Sequence, residues 1–142
     1  MIKDWIPIKN FKILISFVVI ATSCTSKNTL LTNKCIDSSV TYQKVDIKEL
    51  LDNPVHFDNK YVDVKGIYYH GFEESSLVGR KGESAKCIYV LINNDRDLYV
   101  EIDNMKYVSK IRIKGKIDIT KKGHLEGCKL GIKDICYFEI IN

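Results

Sequence analysis

From Tyr61 onward, apolar and polar residues alternate along most of the chain, and this period of two predicts strands. In residues 61–69, Val62 and Val64 fall on one face and Asp63 and Lys65 on the other. Gly66 interrupts that run, as a bulge or tight bend does. Leu77 and Val78 form the core of a short second strand, and residues 87–92 (CIYVLI) read as a continuous apolar one. Residues 98–102 read as a weaker strand. The longest covers 107–119, where Ile111, Ile113, Ile117 and Ile119 alternate with charged residues around Gly115. Residues 132–141 supply a last strand. Turn-forming clusters at 58–59, 79–82, 93–97 and 123–131 separate these runs. One helix is legible: Asp46 is a good N-cap with Glu49 three residues on, Ile47, Leu50 and Leu51 share a face, and Pro54 ends it.

Five or six strands with one short N-terminal helix give a mainly β domain. A glycine midway along each of two long strands lets a strand bend and serve both halves of a closed sheet. Closure also removes exposed edges. The expected architecture is a small five- to six-stranded OB-like barrel over residues 45–142. A small open sheet with the helix packed on it is the alternative.

The N-terminus follows another pattern. Residues 13–21 (ILISFVVIA) are apolar except for Ser16, and Lys3, Lys9 and Lys12 precede them. This run is shorter than the ~20 residues that cross a bilayer, but it has the length and flank of a signal-peptide core. Ala21, Thr22, Ser23 and Cys24 follow and resemble the lipobox of bacterial lipoproteins, with Ala21 where that family prefers leucine. The resemblance implies a signal peptide at 1–23, lipid on Cys24 and a place at the cell envelope outside the cytoplasm. An ordinary secretory peptide is the competing reading. Residues 24–44 open with the polar stretch TSKNTLLTNK and read as the lipidated cysteine and its tether.

The 142 residues suffice for one domain, and the formal net charge is +4. Without residues 1–23 the chain keeps 19 basic and 17 acidic residues, so charge argues against a nucleic-acid partner. Cys35, Cys87, Cys128 and Cys136 remain after Cys24. Export favours at least one disulfide among them over free thiols, with three pairings open. No CxxC pair supports zinc, although His124 lies four residues before Cys128.

Residues 47–71 contain Asn53-Pro54, the turn Phe57-Asp58-Asn59-Lys60 and the strand Val62-Asp63-Val64-Lys65-Gly66. Phe72-Glu73 and Leu77 follow, then Tyr107-Val108, Ile113-Lys114-Gly115, Gly123-His124-Leu125 and Gly127. In this order the motifs resemble a family of small, largely uncharacterised bacterial OB-fold proteins. The four cysteines and the stretch 93–104 depart from its pattern. The resemblance implies a fold and no activity.

Lys110, Arg112, Lys114 and Lys116 share one face of the longest strand and could bind an anionic partner. A solvated outer face is the simpler reading, with acids such as Asp63 on a neighbouring strand as neutralisers. His124 is the most tempting catalytic residue, yet no nucleophile accompanies it, and a turn histidine is favoured. Tyr68, Tyr69, His70 and Phe72 are expected to divide between core and surface. Glu73 and Glu74 have no recognisable carboxylate partner for glycoside chemistry. GRKG at 79–82 lacks phosphate-loop spacing. No catalytic residue, metal or cofactor is expected. The expected function is a non-catalytic binding module at the envelope, anchored by lipid and using the basic face together with the His124 loop. Its partner would be an envelope protein or an anionic ligand. The alternative is an inhibitor or immunity-type protein that blocks an enzyme outside the cytoplasm.

Overall fold

The computed structural model describes residues 28–71, 74–83, 86–92 and 95–142. Residues 1–23 and Cys24 lie outside the described residues, as do Phe72 and Glu73.

The alternating runs form strands as their pattern requires. β1 (Thr29–Asn33), β2 (Gln43–Lys44), β3 (Tyr61–Gly71), β4 (Glu74–Val78), β5 (Cys87–Val90), β6 (Val108–Asp118) and β7 (Leu130–Ile140) belong to one sheet. β3 pairs with β4, β4 with β5, β5 in parallel with β7, β7 with β6, and β6 with β3 again. That circuit is a closed five-stranded barrel of the OB type, with β1 added on β7 and β2 on β3. Val62, Val64, Ile88, Ile111, Ile113, Ile117, Leu130, Ile132 and Phe138 point inward and are fully buried.

α1 (Ile47–Asp52) begins where Asp46 accepts a hydrogen bond from the Lys48 amide at 2.8 Å, and it buries Ile47, Leu50 and Leu51. Pro54 ends α1 but also opens a further turn, α2 (Pro54–Phe57), because proline suits a first helical position. α2 buries Phe57 completely.

Three expectations need correction. Residues 98–102 are not a strand but most of α3 (Arg96–Asp103). Asp95 caps it by accepting from the Leu98 amide, and Leu98 and Ile102, four residues apart, bury one face. Leu98, Val100 and Ile102 also fit a period of two, so the short run was ambiguous until the cap decided it. Second, residues 29–44 are not all tether, because β1 and β2 lie within them. Residues 30–31 follow a polar stretch, and only pairing with β7 reveals a strand there. Third, Gly66 is no bulge: β3 and β6 stay in register through it. A Cβ there would lie 2.3 Å from Ile47 Cδ1 and 2.8 Å from the Val78 carbonyl oxygen. Gly66 admits close packing where β3 passes from β2 to β4. The register shift falls instead between Lys114 and Lys116, at Gly115, in the pairing with β7.

The four cysteines form two disulfides. Cys35–Cys136 ties the segment after β1 to β7, and Cys87–Cys128 ties β5 to the approach of β7. No helix among the described residues is long and apolar enough to cross a membrane.

Candidate functional site

β6 sends its isoleucines into the barrel, so Lys110, Arg112, Lys114 and Lys116 all face outward between β3 and β7. Asp63, Lys65 and Tyr61 of β3 and Tyr137 and Glu139 of β7 pair with them in register. Arg112 donates from Nε and Nη2 to the two oxygens of Asp63, at 2.8 and 2.6 Å. Two parallel bonds fix the guanidinium as a point-charge contact cannot. Burial pushes the Asp63 carboxyl up, but the bonds and charge of Arg112, helped by Lys114 and Lys44, outweigh it. The net shift is below the ordinary aspartate value.

The lysines rest on rings. Lys114 Nζ lies 5.0 Å from the Tyr137 centroid and 5.6 Å from that of Tyr42. Lys116 Nζ lies 5.7 Å from Tyr61, and the Arg112 guanidinium 5.5 Å from Tyr137. At these separations each cation is drawn to the face of its ring. Tyr42 and Tyr61 meet edge to face. Tyr42 belongs to the segment that leaves β1 beside β7 and reaches β2 beside β3, so this segment braces the far half of the stripe. Its hydroxyl lies 3.0 Å from Cys136 Sγ and is the donor, since a disulfide sulfur carries no hydrogen. Lys110, at the near end, is exposed.

Beside Arg112 a cleft of about 410 Å³ opens where the chain leaves β2 alongside β3, lined by Lys44, Val45, Asp46, Asp63, Lys65 and Arg112. Neither Lys44 nor Lys65 makes an ion pair among the described residues.

His124 is elsewhere. It opens a short turn, His124–Glu126, between β6 and β7, and lines a second cleft of about 400 Å³ with Tyr68, His70, Ser75, Tyr89 and Tyr99. None of the four basic β6 residues lines this cleft. The structure therefore does not join the His124 loop to the basic face. His124 does occupy a turn, held by the Gly127 amide donating to its carbonyl, while its ring makes no hydrogen bond among the described residues.

In the same cleft the Ser75 hydroxyl donates to the Val90 carbonyl at 2.7 Å and pairs with Tyr68 Oη at 2.9 Å. Burial pushes the Tyr68 phenol up to about 12, although the Ser75 contact pulls the other way. It stays protonated. Of the described aromatic residues, Tyr68 lies in the core, half-buried Tyr69 meets the Tyr107 ring, and the Nε2 of half-buried His70 stands 3.8 Å from Asp103. Glu74 is occupied by the Tyr107 hydroxyl, which donates to it. Cys128 is bonded to Cys87, so it cannot join His124 on a metal. Among the described residues no group of three or more His, Cys, Asp or Glu side chains is placed to hold a metal ion.

The sequence showed the basic stripe but not its supports. Tyr42, Tyr61 and Tyr137 lie far apart along the chain, and only strand pairing brings them together. Alternation alone would have put Tyr61 on the face of Asp63 and Lys65, the one available signal. No family model matches this chain, and no curated protein matches it either.

Proposed function

We propose that the protein is a lipid-anchored, non-catalytic binding module of the bacterial cell envelope, whose ring-braced basic face meets an anionic partner. The observation that carries this reading is the bracing itself. Charges that serve only solubility are held on mobile side chains. Here three of the four cations are held by tyrosine rings, and one of those three also by a carboxylate fork. Side chains ordered before binding lose less freedom when a ligand arrives. The location rests on the lysine-flanked apolar run and the lipobox-like Ala21-Thr22-Ser23-Cys24. Two disulfides suit an oxidising compartment.

Testing the face requires sparing Arg112, since removing it strands Asp63. The variant Lys110→Gln/Lys114→Gln/Lys116→Gln, which removes charge without setting a new carboxylate opposite Asp63, should lose binding to isolated envelope material while unfolding at nearly the same denaturant concentration. Undiminished binding by a folded variant would reject the face.

One observation favours the inhibitor reading. Leu125 is 88% exposed at the tip of the β6–β7 loop, and Leu125 and Glu126 have φ of 52° and 54°. An exposed leucine on strained backbone is a feature of contact loops. If a protein partner docks there, Leu125→Asp should abolish its stoichiometric capture, and unaltered capture would remove this reading.

A further inference from the structure

The half of the basic face nearest the N-terminus is open. Tyr42 and its segment cover Lys114 and Tyr61 but leave Lys65, Lys110 and Arg112 uncovered. One row of paired residues crosses this open half: Leu30 of β1, Glu139 of β7, Arg112 of β6 and Lys65 of β3. At about 4.8 Å per strand, Lys65 lies roughly 14 Å from Leu30. Five residues lie between Cys24 and Leu30, and the six steps span at most about 20 Å. A lipid on Cys24 thus leaves the open half of the face within reach of the surface that holds the lipid.

The charges around the cleft are unequally engaged. Asp63 is taken by Arg112, Asp46 caps α1, and Glu139 accepts from the Asn28 amide. Lys44 and Lys65 are exposed and both line the cleft; among the described residues neither makes an ion pair, although the Lys44 charge also helps to hold Asp63 low. The fork on Asp63 uses Nε and Nη2 of Arg112, which leaves Nη1 to donate elsewhere. Two lysine charges and a fixed guanidinium edge suit a group with two charged oxygens and one net charge, which describes a phosphodiester.

We propose that the open half of this face lies on the phospholipid surface of the anchoring membrane, with the phosphodiester of an anionic headgroup in the Lys44–Lys65–Arg112 cleft. The inference rests on the lipid-anchor reading and names the anionic partner of the basic face. The module then sits flat on its membrane, and the His124 cleft, which shares no lining residue with the docked one, takes no part in the contact.

The mature lipidated protein, reconstituted in phosphatidylcholine vesicles with or without phosphatidylglycerol, supplies the test. A water-soluble amine reagent is applied, and modified lysines are mapped by mass spectrometry. Lys44 and Lys65 should react several-fold more slowly in the anionic vesicles, while exposed Lys121 of the β6–β7 loop reacts equally in both. Equal labelling of Lys44 and Lys65 in protein still held by the vesicles would overturn the docking and spare the anchor. Recovery of the protein away from the vesicles would overturn the anchor and the docking with it. In a Cys24→Ser background, Lys44→Ala/Lys65→Ala should weaken the added affinity for anionic over zwitterionic vesicles about fivefold for each lysine removed. An unchanged preference would also overturn the proposal.

Discussion

Asp63 keeps its charge although it is only 7% exposed, and Arg112 is the reason. The pair has an asymmetric logic. Together the two groups satisfy one another, whereas removing the arginine leaves a nearly buried carboxylate without its two charged hydrogen bonds, with only the more distant charges of Lys114 and Lys44 to offset it. Arg112→Leu should cost about 2 kcal/mol by denaturant unfolding, and Arg112→Leu/Asp63→Leu should recover much of that loss. Asp118 is held low in a similar way, first by its bond from Lys133 at 2.6 Å and then by Thr120. Both carboxyls titrate lower in the folded chain than in the unfolded one, so the unfolded state takes up protons first as pH falls. Their stabilisation is complete above the ordinary aspartate range, near pH 4, and disappears as pH drops through the lower folded values. The urea midpoint should fall on acidification below about pH 4, and Asp118→Asn should make that fall shallower. A midpoint independent of pH in that range would contradict the assignment. Gly115 is constrained by space: a Cβ there would stand 2.6 Å from the Lys133 carbonyl oxygen and 2.9 Å from Ile132 Cγ1. Because a strand carbonyl cannot step aside, Gly115→Ala should destabilise by about 1–3 kcal/mol in the same measurement.

Elements differ in how far the sequence disclosed them. β3 and β6 were legible because long alternating runs leave one choice of face. α1 was legible because its cap, its apolar face and Pro54 agree. α3 is not legible in the sequence because residues 98–102 satisfy two periods at once, and the Asp95 that caps it lies in a turn-forming cluster. β1 and β2 were hidden because the first is mostly exposed and the second has two residues. Their place is set by pairing and by the Cys35–Cys136 bond, neither of which leaves a local pattern. Among the site residues, the four cations were legible from their spacing, whereas the tyrosines under them depend on three distant segments. α3 contributes mainly through two side chains, Leu98 and Ile102, each 2% exposed. Ile102→Ala should lower stability by about 2–5 kcal/mol, the usual range for emptying a buried aliphatic site. A loss within experimental error would show that α3 is not part of the core.

At the scale of the whole molecule, two disulfides fasten a barrel whose interior is already filled. The Cys35–Cys136 bond closes a span of 101 residues and holds the β1–β2 segment whose Tyr42 supports the basic face. Reducing it should therefore weaken stability and loosen the face together. The barrel, the disulfides and the braced stripe describe what the domain can present. Location makes that presentation useful, since a short chain from Cys24 to β1 keeps one face close to a membrane only if Cys24 carries lipid. The most direct test is the intact mass and membrane partitioning of the protein beside its Cys24→Ser variant, expressed in a bacterium. The native chain should begin at Cys24, carry the added mass of acyl chains and remain with the membrane until detergent is added. The variant should stay unprocessed or be released without added mass. Identical mass and identical membrane retention for the two would contradict the lipid anchor.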